Sequence, residues 1–204
     1  MNSISANLRL VDFDNVSPTT LQSQVISAID TANVFLDSMS AATDDITAKQ
    51  ALADIMTFDH INLALDRSWG ILSHLNSVMS NDEIRHVHHE LLPKLSAYGT
   101  RVGQHQPLFN RYQTIVNDTE FFADLEPARA RAIELALRSF ELSGVALSKA
   151  EPEKFAAIQS ELSTLSATFS DHILDATQAY ALALKREQLA GLTESGLALL
   201  SDAG

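Results

Sequence analysis

The chain has 204 residues, of which 46% are hydrophobic and 20% are charged, and its net charge is −12. This length supplies enough apolar side chains for a substantial core, in one domain or two small ones. The absence of cysteine excludes disulfides, thiolate zinc sites and cysteine nucleophiles, and the acidic excess argues against nucleic acid as a partner.

The N-terminal third of the chain is especially acidic. Residues 1–60 contain eight Asp against Arg9 and Lys49, which gives this segment a charge of −6. We interpret it as a solvated acidic face, with a cation-binding surface as the alternative. The sequence has neither a secretory signal pattern nor a run of roughly 20 apolar residues that could span a bilayer, which predicts a cytoplasmic protein with no membrane contact.

Helical periodicity dominates the first half of the sequence. Ser17-Pro18 is typical of a helix start, and the apolar positions that follow predict an amphipathic helix over about 18–39: Leu21, Val25, Ile29, Ala32 and Leu36. Thr47 predicts the cap of a second helix that reaches about residue 71. A polar connection at residues 73–77 is then expected.

A capping box at Ser80-Asn81-Asp82-Glu83 predicts the start of a third helix that runs towards His105. Pro93 lies inside it and predicts a kink near residues 89–93, unless the helix is broken there.

The second half predicts three further helices and a change of pattern. Pro107 opens a short helix, and Glu126-Pro127 opens an Ala-rich one that ends at Gly144. A capping box over residues 148–151 opens the most regular helix. Its inward positions alternate spacings of three and four, as in a seam that faces another helix: Phe155, Ile158, Leu162, Leu165, Phe169, His172 and Ala176.

Near the C-terminus, the period of two over residues 180–185 predicts one short strand, and Thr193 predicts the cap of a final helix. The fold class is therefore expected to be mainly all-α. The predicted architecture is one antiparallel, bundle-like helical domain over residues 1–204, with about six helices and one or two short strands near the C-terminus. The interrupted last segment predicts that the sequence is part of a longer chain.

His89-Glu90 is the sole His-Glu pair in the sequence. In H-E-x-x-H, two imidazoles one helical turn apart bind zinc and the glutamate acts as general base. Here Pro93 occupies the second histidine position, and proline has no lone pair to offer a metal. The pair therefore cannot be that zinc motif.

The remaining candidates are histidines. His86, His88 and His89 form the densest ligand-capable cluster with Glu83 and Glu90, and spacings of three and four give a surface zinc site as the alternative to a solvated helix face.

His172, near Asp171 and Asp175, is interpreted as a histidine at the edge of the core that bonds to a neighbour rather than as a ligand or base. Three other histidines have no evident partner at local spacing: His60, His74 and His105.

Small residues give no catalytic motif. The serines that invite a nucleophile interpretation lack a G-x-S-x-G elbow: Ser139, Ser143, Ser166 and Ser170. Gly99 and Gly103 lack the G-K-[ST] of a phosphate loop. No catalytic, cofactor-binding or metal residue is therefore assigned, and no cofactor is expected in this chain.

Several segments resemble, in order, the N-terminal region of the thimet oligopeptidase family of zinc metallopeptidases. They are GILSHLNSV at 70–78, LPKLSAY at 92–98, VGQH at 102–105, LRSFELSGVAL at 137–147, ILDAT at 173–177 and EQLAGL at 187–192. The resemblance covers about residues 12–204.

This resemblance implies the non-catalytic N-terminal domain of a longer oligopeptidase, which forms one wall of a channel for short unfolded peptides. The implied partners are the catalytic domain of the same enzyme, where zinc is expected, and the peptides. The residues around His74 and Asn76 are candidate channel-lining positions, with a local turn-stabilising role as the alternative.

Two rival hypotheses remain. One is a stand-alone helical interaction module without a catalytic domain. The other is a self-contained metal enzyme that uses His86, His89 and Glu90.

Overall fold

Eight α-helices and a 3-10 helix build the computed structural model, which describes residues 11–13, 16–41, 46–145 and 151–202. The α-helices are α1 (Pro18–Ala41), α2 (Ala48–Val78), α3 (Asp82–Gly103), α4 (Gln106–Asn117), α5 (Thr119–Ala123), α6 (Pro127–Leu142), α7 (Glu151–Ala179) and α8 (Glu194–Asp202); the 3-10 helix is Arg186–Leu189. The mainly helical class is confirmed.

The predicted strands are wrong for the described chain, which contains none. Residues 180–185 follow the end of α7 without joining a sheet. A period of two identifies an extended segment, but a strand also needs a neighbour to pair with its backbone groups. The predicted capping box over residues 148–151 lies outside the described residues, apart from Glu151 itself.

Side-chain caps begin the first two helices where the sequence predicts them. The hydroxyl of Ser17 accepts a hydrogen bond from the Thr20 N–H at 3.2 Å. Thr47 and Gln50 form a reciprocal capping box, with the Gln50 N–H bound to the Thr47 hydroxyl and the Thr47 N–H bound to the Gln50 side chain. Each cap satisfies backbone donors that the first turn of a helix leaves without a partner.

The connection predicted at residues 73–77 is wrong, since α2 continues to Val78. Leu72 and Leu75 extend its apolar spacing, and the Ser77 hydroxyl donates to the Ser73 carbonyl at 2.9 Å within the helix. Polar side chains that often stabilise turns can also bond one turn back along a helix, so their presence did not fix the boundary.

The start of α3 is shifted by one residue from the prediction. Asn81, rather than Ser80, is the N-cap, and its side-chain oxygen accepts from the Ile84 N–H at 2.9 Å. The helix continues through Pro93, so it is not broken there. Pro93 is exposed, where water can bond the carbonyl that proline leaves without an N–H partner.

A glycine turn ends α6 as predicted. Gly144 has φ +84°, a conformation that glycine adopts without steric cost. The Gly144 N–H bonds to the Glu141 carbonyl, and the Val145 N–H bonds to the Phe140 carbonyl, each at 3.2 Å. This is the Schellman arrangement, in which two helix-terminal carbonyls are satisfied together.

The core of the first part of the chain lies among α1, α2, α3 and α4, with α6 at its side. Six large side chains there are almost fully buried: Val25, Leu36, Leu72, Leu91, Leu108 and Ile115. Polar contacts give the helix directions. The Tyr98 hydroxyl of α3 donates to the Asn62 side chain of α2, and His88 stacks on Trp69 further along, so these two helices are antiparallel.

One buried charge joins α2 to α4. The Arg111 side chain is 7% exposed; its Nε donates to the Asp54 carboxylate at 2.6 Å, and its NH1 donates to the Pro107 carbonyl at 3.0 Å. A buried guanidinium is tolerated only when its donors are satisfied, so this pair fixes the position of α4 on α2.

The chain divides into two compact units, residues 1–165 and residues 166–204, and the division falls within α7. The first unit, which we call the core unit, contains all of the buried apolar side chains of the described chain. The second, which we call the C-terminal unit, consists of the second half of α7, the irregular segment, the 3-10 helix and α8.

The contact between α3 and the end of α6 gives a test of this packing. A Cβ added to Gly103 would lie 2.5 Å from the Ser143 Cβ, whereas one added to Gly99 would meet nothing within 4 Å. We expect Gly103→Ala to raise the free energy of the folded chain by about 1–3 kcal/mol, because two rigid backbones would have to separate.

Gly99→Ala in the same helix is the matched control. It is expected to stabilise the chain by about 0.5–1 kcal/mol, since alanine favours a helix interior. Urea unfolding of both variants measures the difference. Equal effects would contradict the close approach at Gly103.

Candidate functional surface

The histidine cluster of α3 is spread over different surroundings. His86 lies 3.5 Å from the Glu90 carboxylate on the exposed side of the helix, and that carboxylate also accepts from the Gln22 side chain of α1 at 2.7 Å. His88 instead stacks on Trp69, with ring centroids 4.7 Å apart. His89 presents its ring edge-on to His88 at 6.0 Å.

These residues do not fit a zinc site. Within the described part of the chain, no three His, Asp or Glu side chains are grouped so that they could hold a metal ion. Glu90 is shared between His86 and an amide donor, while the aromatic stack directs His88 towards α2. A zinc site needs three or four protein ligands around one point, whereas the contact described above joins one imidazole, of His86, to one carboxylate, of Glu90.

The interpretation of His172 as a histidine at the edge of the core is wrong. In that turn of α7 the buried side chain is Asp171, which is 8% exposed, while His172 is exposed. The alternating spacing of three and four residues does not distinguish position 171 from position 172 as the one that points inward. Adjacent positions differ by about 100° around the helix axis. His60 and His74 are also exposed, and His74 lies 6.0 Å from the ring of Phe13.

His105 is the histidine with a defined structural role. It is buried at the junction of α3 and α4, where its Nδ1 accepts from the Leu108 N–H at 3.2 Å and so caps α4. Its Nε2 lies 3.1 Å from the Ser40 hydroxyl of α1. Because Nδ1 accepts, Nε2 must carry the proton, and a single neutral tautomer satisfies both contacts.

Burial lowers the pKa of His105, and the nearby Arg101 guanidinium lowers it further. The sequence contained the signal for this role, since His105 stands directly before a helix start with proline at its second position. Sequence reasoning missed it because histidine is a less usual cap than Ser, Thr, Asp or Asn.

Three of the glycines and serines considered as candidates line one shallow cleft of the core unit: Gly99, Ser139 and Ser143. Its volume is about 290 Å³, and its lining includes Gly99 of α3, Ser139 and Ser143 of α6, and Phe155 of α7. Among the described residues that line it, none is acidic, basic or an imidazole. These lining residues therefore offer a hydroxyl no base to activate it.

Ser166 and Ser170 lie elsewhere, in the C-terminal unit. The Ser170 hydroxyl donates to the Ser166 carbonyl at 3.0 Å within α7. This is the ordinary bond of a serine one turn along a helix, and it supports no nucleophile.

Acidic side chains are distributed over exposed parts of α1 and α2. The side chains of Asp30, Asp59 and Asp66 are exposed. Neighbouring atoms still shield the Asp59 carboxyl partly from water, and this partial burial, together with the charge of Asp66, raises the pKa of Asp59. Asp37 is paired with Arg101. The Asp side chains that the structure describes in residues 1–60 are thus partly solvated and partly paired with arginine, as Asp37 and Asp54 are, and the acidic face stays a prediction.

The most distinctive surface is the apolar side of α7. The seam predicted to face another helix is exposed: in the core unit, Ile158, Leu162 and Leu165 are 53–60% accessible to solvent. Exposed apolar residues are common singly, but three at helical spacing form a stripe that a helix normally buries.

The C-terminal unit exposes even more apolar surface. Asp171 is the one fully buried side chain among its described residues. Large apolar side chains that are 48–73% accessible lie along it: Phe169, Ile173, Tyr180, Leu182, Leu192, Leu199 and Leu200. This arrangement can bind another apolar surface. None of the described helices is both long enough and apolar enough to cross a membrane.

Comparison with known proteins identifies the relatives of this sequence. Residues 44–152, just over half of the chain, match the family described as "Neurolysin/Thimet oligopeptidase, N-terminal domain". The chain is 43% identical to oligopeptidase A of Haemophilus influenzae over 144 residues, which are 70% of this chain and 21% of that protein.

Two further relatives match nearly the whole chain. Oligopeptidase A of Escherichia coli is 32% identical over 198 residues, 97% of this chain and 28% of that protein. The probable cytosolic oligopeptidase A of Arabidopsis thaliana is 27% identical over 203 residues, 99% of this chain and 28% of that protein. The chain thus spans about a fifth to somewhat over a quarter of the length of these relatives.

The cap formed by His105 predicts a pH dependence of stability. A histidine whose pKa is lowered by folding contributes stability that is complete above its unfolded pKa of about 6.5. That contribution is lost as the pH falls from this value towards the lower folded pKa, because the unfolded chain then binds more protons. We expect the wild-type chain to lose stability between pH 7.5 and pH 5.5 by this route.

His105→Asn keeps a side-chain acceptor at the cap but removes the titration, so its stability should fall less over the same interval. Urea unfolding at several pH values measures the slopes. The control is His60→Asn on an exposed turn of α2, which should leave the wild-type slope unchanged. A His105→Asn slope equal to that of wild type would contradict this account.

Proposed function

Because the chain belongs to the neurolysin/thimet oligopeptidase family and matches its N-terminal domain, we propose that it is the non-catalytic N-terminal domain of a zinc oligopeptidase that degrades short peptides. Its proposed role is to form one wall of the substrate channel, while the remaining part of a longer polypeptide carries the catalytic site. The observation that carries this proposal is the uncovered apolar surface of the C-terminal unit.

The C-terminal unit is too small to stabilise itself. Segments below about 40 residues generally need disulfides, metals or a partner to fold, and this chain has no cysteine. Its apolar side chains are exposed instead of forming a core of their own. An external apolar surface that covers Phe169, Ile173 and their neighbours would supply the missing burial.

The comparisons best support the rest of a longer polypeptide as the partner that covers this apolar surface. The relatives extend well beyond the matched region, since this chain covers 17–28% of the oligopeptidases A that it matches. A domain held in the same polypeptide also has a high effective concentration, which favours a contact that a separate partner would have to make at cellular concentrations.

The chemistry of peptide hydrolysis is assigned to that remaining part. Zinc bound there would polarise the peptide carbonyl and activate water. The histidine cluster of α3 does not fit a zinc site, and no group of three metal-ligating side chains occurs among the described residues. The contribution of this chain would be to exclude large substrates and to orient small ones, through a rigid helical boundary.

The acidic surface supports a preference among peptides. A net charge of −12 attracts cationic ligands over a distance and repels polyanions. We therefore infer that short peptides carrying Lys or Arg reach the channel faster than acidic peptides of equal length, and that the difference declines as salt rises. Of the two candidate channel-lining residues, Asn76 is buried, whereas His74 is exposed, which favours His74 as the lining position. The proposed location of the enzyme is the cytoplasm.

The proposed function is tested by comparing the 204-residue chain with the longer product of its gene. The longer product should contain an H-E-x-x-H helix and should cleave a short internally quenched peptide, and a zinc chelator should abolish that cleavage. The 204-residue chain should have no such activity. A gene that ends at Gly204 would instead support an independent interaction module, and zinc-dependent cleavage by the short chain would overturn the assignment.

The docking surface is tested by charge substitutions in the C-terminal unit. Phe169→Glu and Ile173→Glu should each weaken binding of the chain to the separately expressed remainder by roughly tenfold or more, because a carboxylate would be desolvated in an apolar contact. Ser170→Glu, on the same helix but at a polar position, is the matched control.

Binding is measured by titration calorimetry, and unfolding of the core unit is measured in parallel. Neither apolar substitution should change the stability of the core unit. Equal affinity for Phe169→Glu, Ser170→Glu and the wild type would contradict docking through this face.

A further inference from the structure

The C-terminal part of α2 contains two buried polar atoms that the protein does not satisfy. The Asn76 side chain is 8% exposed, and its Oδ1 has no hydrogen-bond partner among the described residues. The Ser73 hydroxyl, one turn earlier on the same helix, is likewise buried and has none. A buried polar atom without a partner generally destabilises a folded protein by about 1–3 kcal/mol.

Local rearrangement does not solve the problem at Asn76. Exchanging the oxygen and nitrogen of the amide would place an N–H₂ group where Oδ1 lies, and that group would also need a partner. Ser73 also differs from nearby serines. The hydroxyls of Ser68 and Ser77 both donate to the carbonyl four residues earlier in α2, but the Ser73 hydroxyl does not.

The two atoms lie where α2 packs against α3. The contacts Asn62 with Tyr98 and Trp69 with His88 set an antiparallel register between these helices. Residue numbers that rise along α2 therefore meet falling numbers along α3, which places the turn of Ser73 and Asn76 beside the first turns of α3, near the buried Ile84. The site is thus enclosed between two helices.

From this geometry we infer that Ser73 and Asn76 bind one ordered water molecule within the α2–α3 interface. Side chains three residues apart on a helix have Cβ atoms about 5–6 Å apart. The side chains can bring their polar atoms closer together than the Cβ atoms, and one water with two hydrogen bonds of about 2.8 Å can bridge atoms that are roughly 4–5 Å apart. Water donates to Asn76 Oδ1 and can either donate to or accept from the Ser73 hydroxyl, so it satisfies both atoms with no change in the helices.

The site is independent of the proposed peptidase function, because it lies in the core unit and involves no residue of the docking surface. Its role is to satisfy two polar atoms of α2 at a point where the segment GILSHLNSV at 70–78 places polar residues in an otherwise apolar stripe.

The direct test is to detect the water in the wild-type 204-residue chain. Magnetisation transfer from water to the Asn76 side-chain amide, measured by NMR with a filter against exchanging hydroxyl protons, should reveal a water that remains bound for longer than nanoseconds. Ser73→Ala should abolish this signal. Absence of a long-lived water near Asn76 in the folded wild-type chain would overturn the inference.

Substitution gives a second, independent measurement. Asn76→Leu, which has a similar size, should increase the equilibrium constant for unfolding about tenfold, because the water and the Ser73 hydroxyl lose a partner. The double variant Ser73→Ala/Asn76→Leu should be less destabilised than the sum of the two single variants, since the two side chains share one water.

Ser77→Ala is the matched control, because the Ser77 hydroxyl is exposed and bonds only within α2; it should leave the NMR signal unchanged. If no water occupies the site, Asn76→Leu should instead decrease the equilibrium constant for unfolding, because leucine would remove an unsatisfied polar atom. That decrease would overturn the inference.

Discussion

The packing of α1 against α2 is the interaction on which the rest of the core unit depends. Val25 and Leu36 of α1 and Leu72 of α2 are almost completely buried, and each such side chain contributes roughly 1.5–3 kcal/mol relative to an exposed one. This pair of helices supplies the surface on which α3 and α4 lie. The polar links then fix direction and register: Asn62 with Tyr98, Asp54 with Arg111, and Ser40 with His105.

The burial of apolar side chains also distinguishes α7 and the C-terminal unit from the helices of the core. Their apolar side chains have the spacing of a buried face, but many of them are exposed. The chain therefore contains a complete core and a separate apolar stripe that is not buried. The proposed function accounts for this stripe as the boundary with the remaining part of a longer polypeptide.

Much of the fold could be predicted from the sequence, and the errors have physical causes. The starts of α1 and α2 and the end of α6 were correct, because Ser17, Thr47 and Gly144 act through bonds to neighbouring backbone groups. The break at residues 73–77 was wrong because Ser73 and Asn76 are polar residues inside a helix. The strand at residues 180–185 was wrong because a period of two describes a local conformation, whereas a sheet depends on a distant partner.

Prediction of function depended on resemblance more than on chemistry. The segments quoted from residues 70–192 led to the family, and the comparisons confirmed it. Single histidines were less informative. Local spacing indicates no partner for His105, although His105 joins three helices, and it predicts a core-edge position for His172, although His172 is exposed. Such roles depend on which residues surround a side chain in the folded chain, and local spacing in the sequence does not show these neighbours.

Hydrogen–deuterium exchange of the C-terminal unit tests the central claim most directly. Amides of the second half of α7 and of α8 should exchange rapidly in the 204-residue chain, because few buried contacts oppose local opening. In the longer product of the gene, the same amides should exchange at least about tenfold more slowly, which corresponds to roughly 1.4 kcal/mol of added local stability. Amides around Leu36 and Leu72 should change little. Equal exchange of the C-terminal unit in the two proteins would contradict the claim that the longer polypeptide covers this surface.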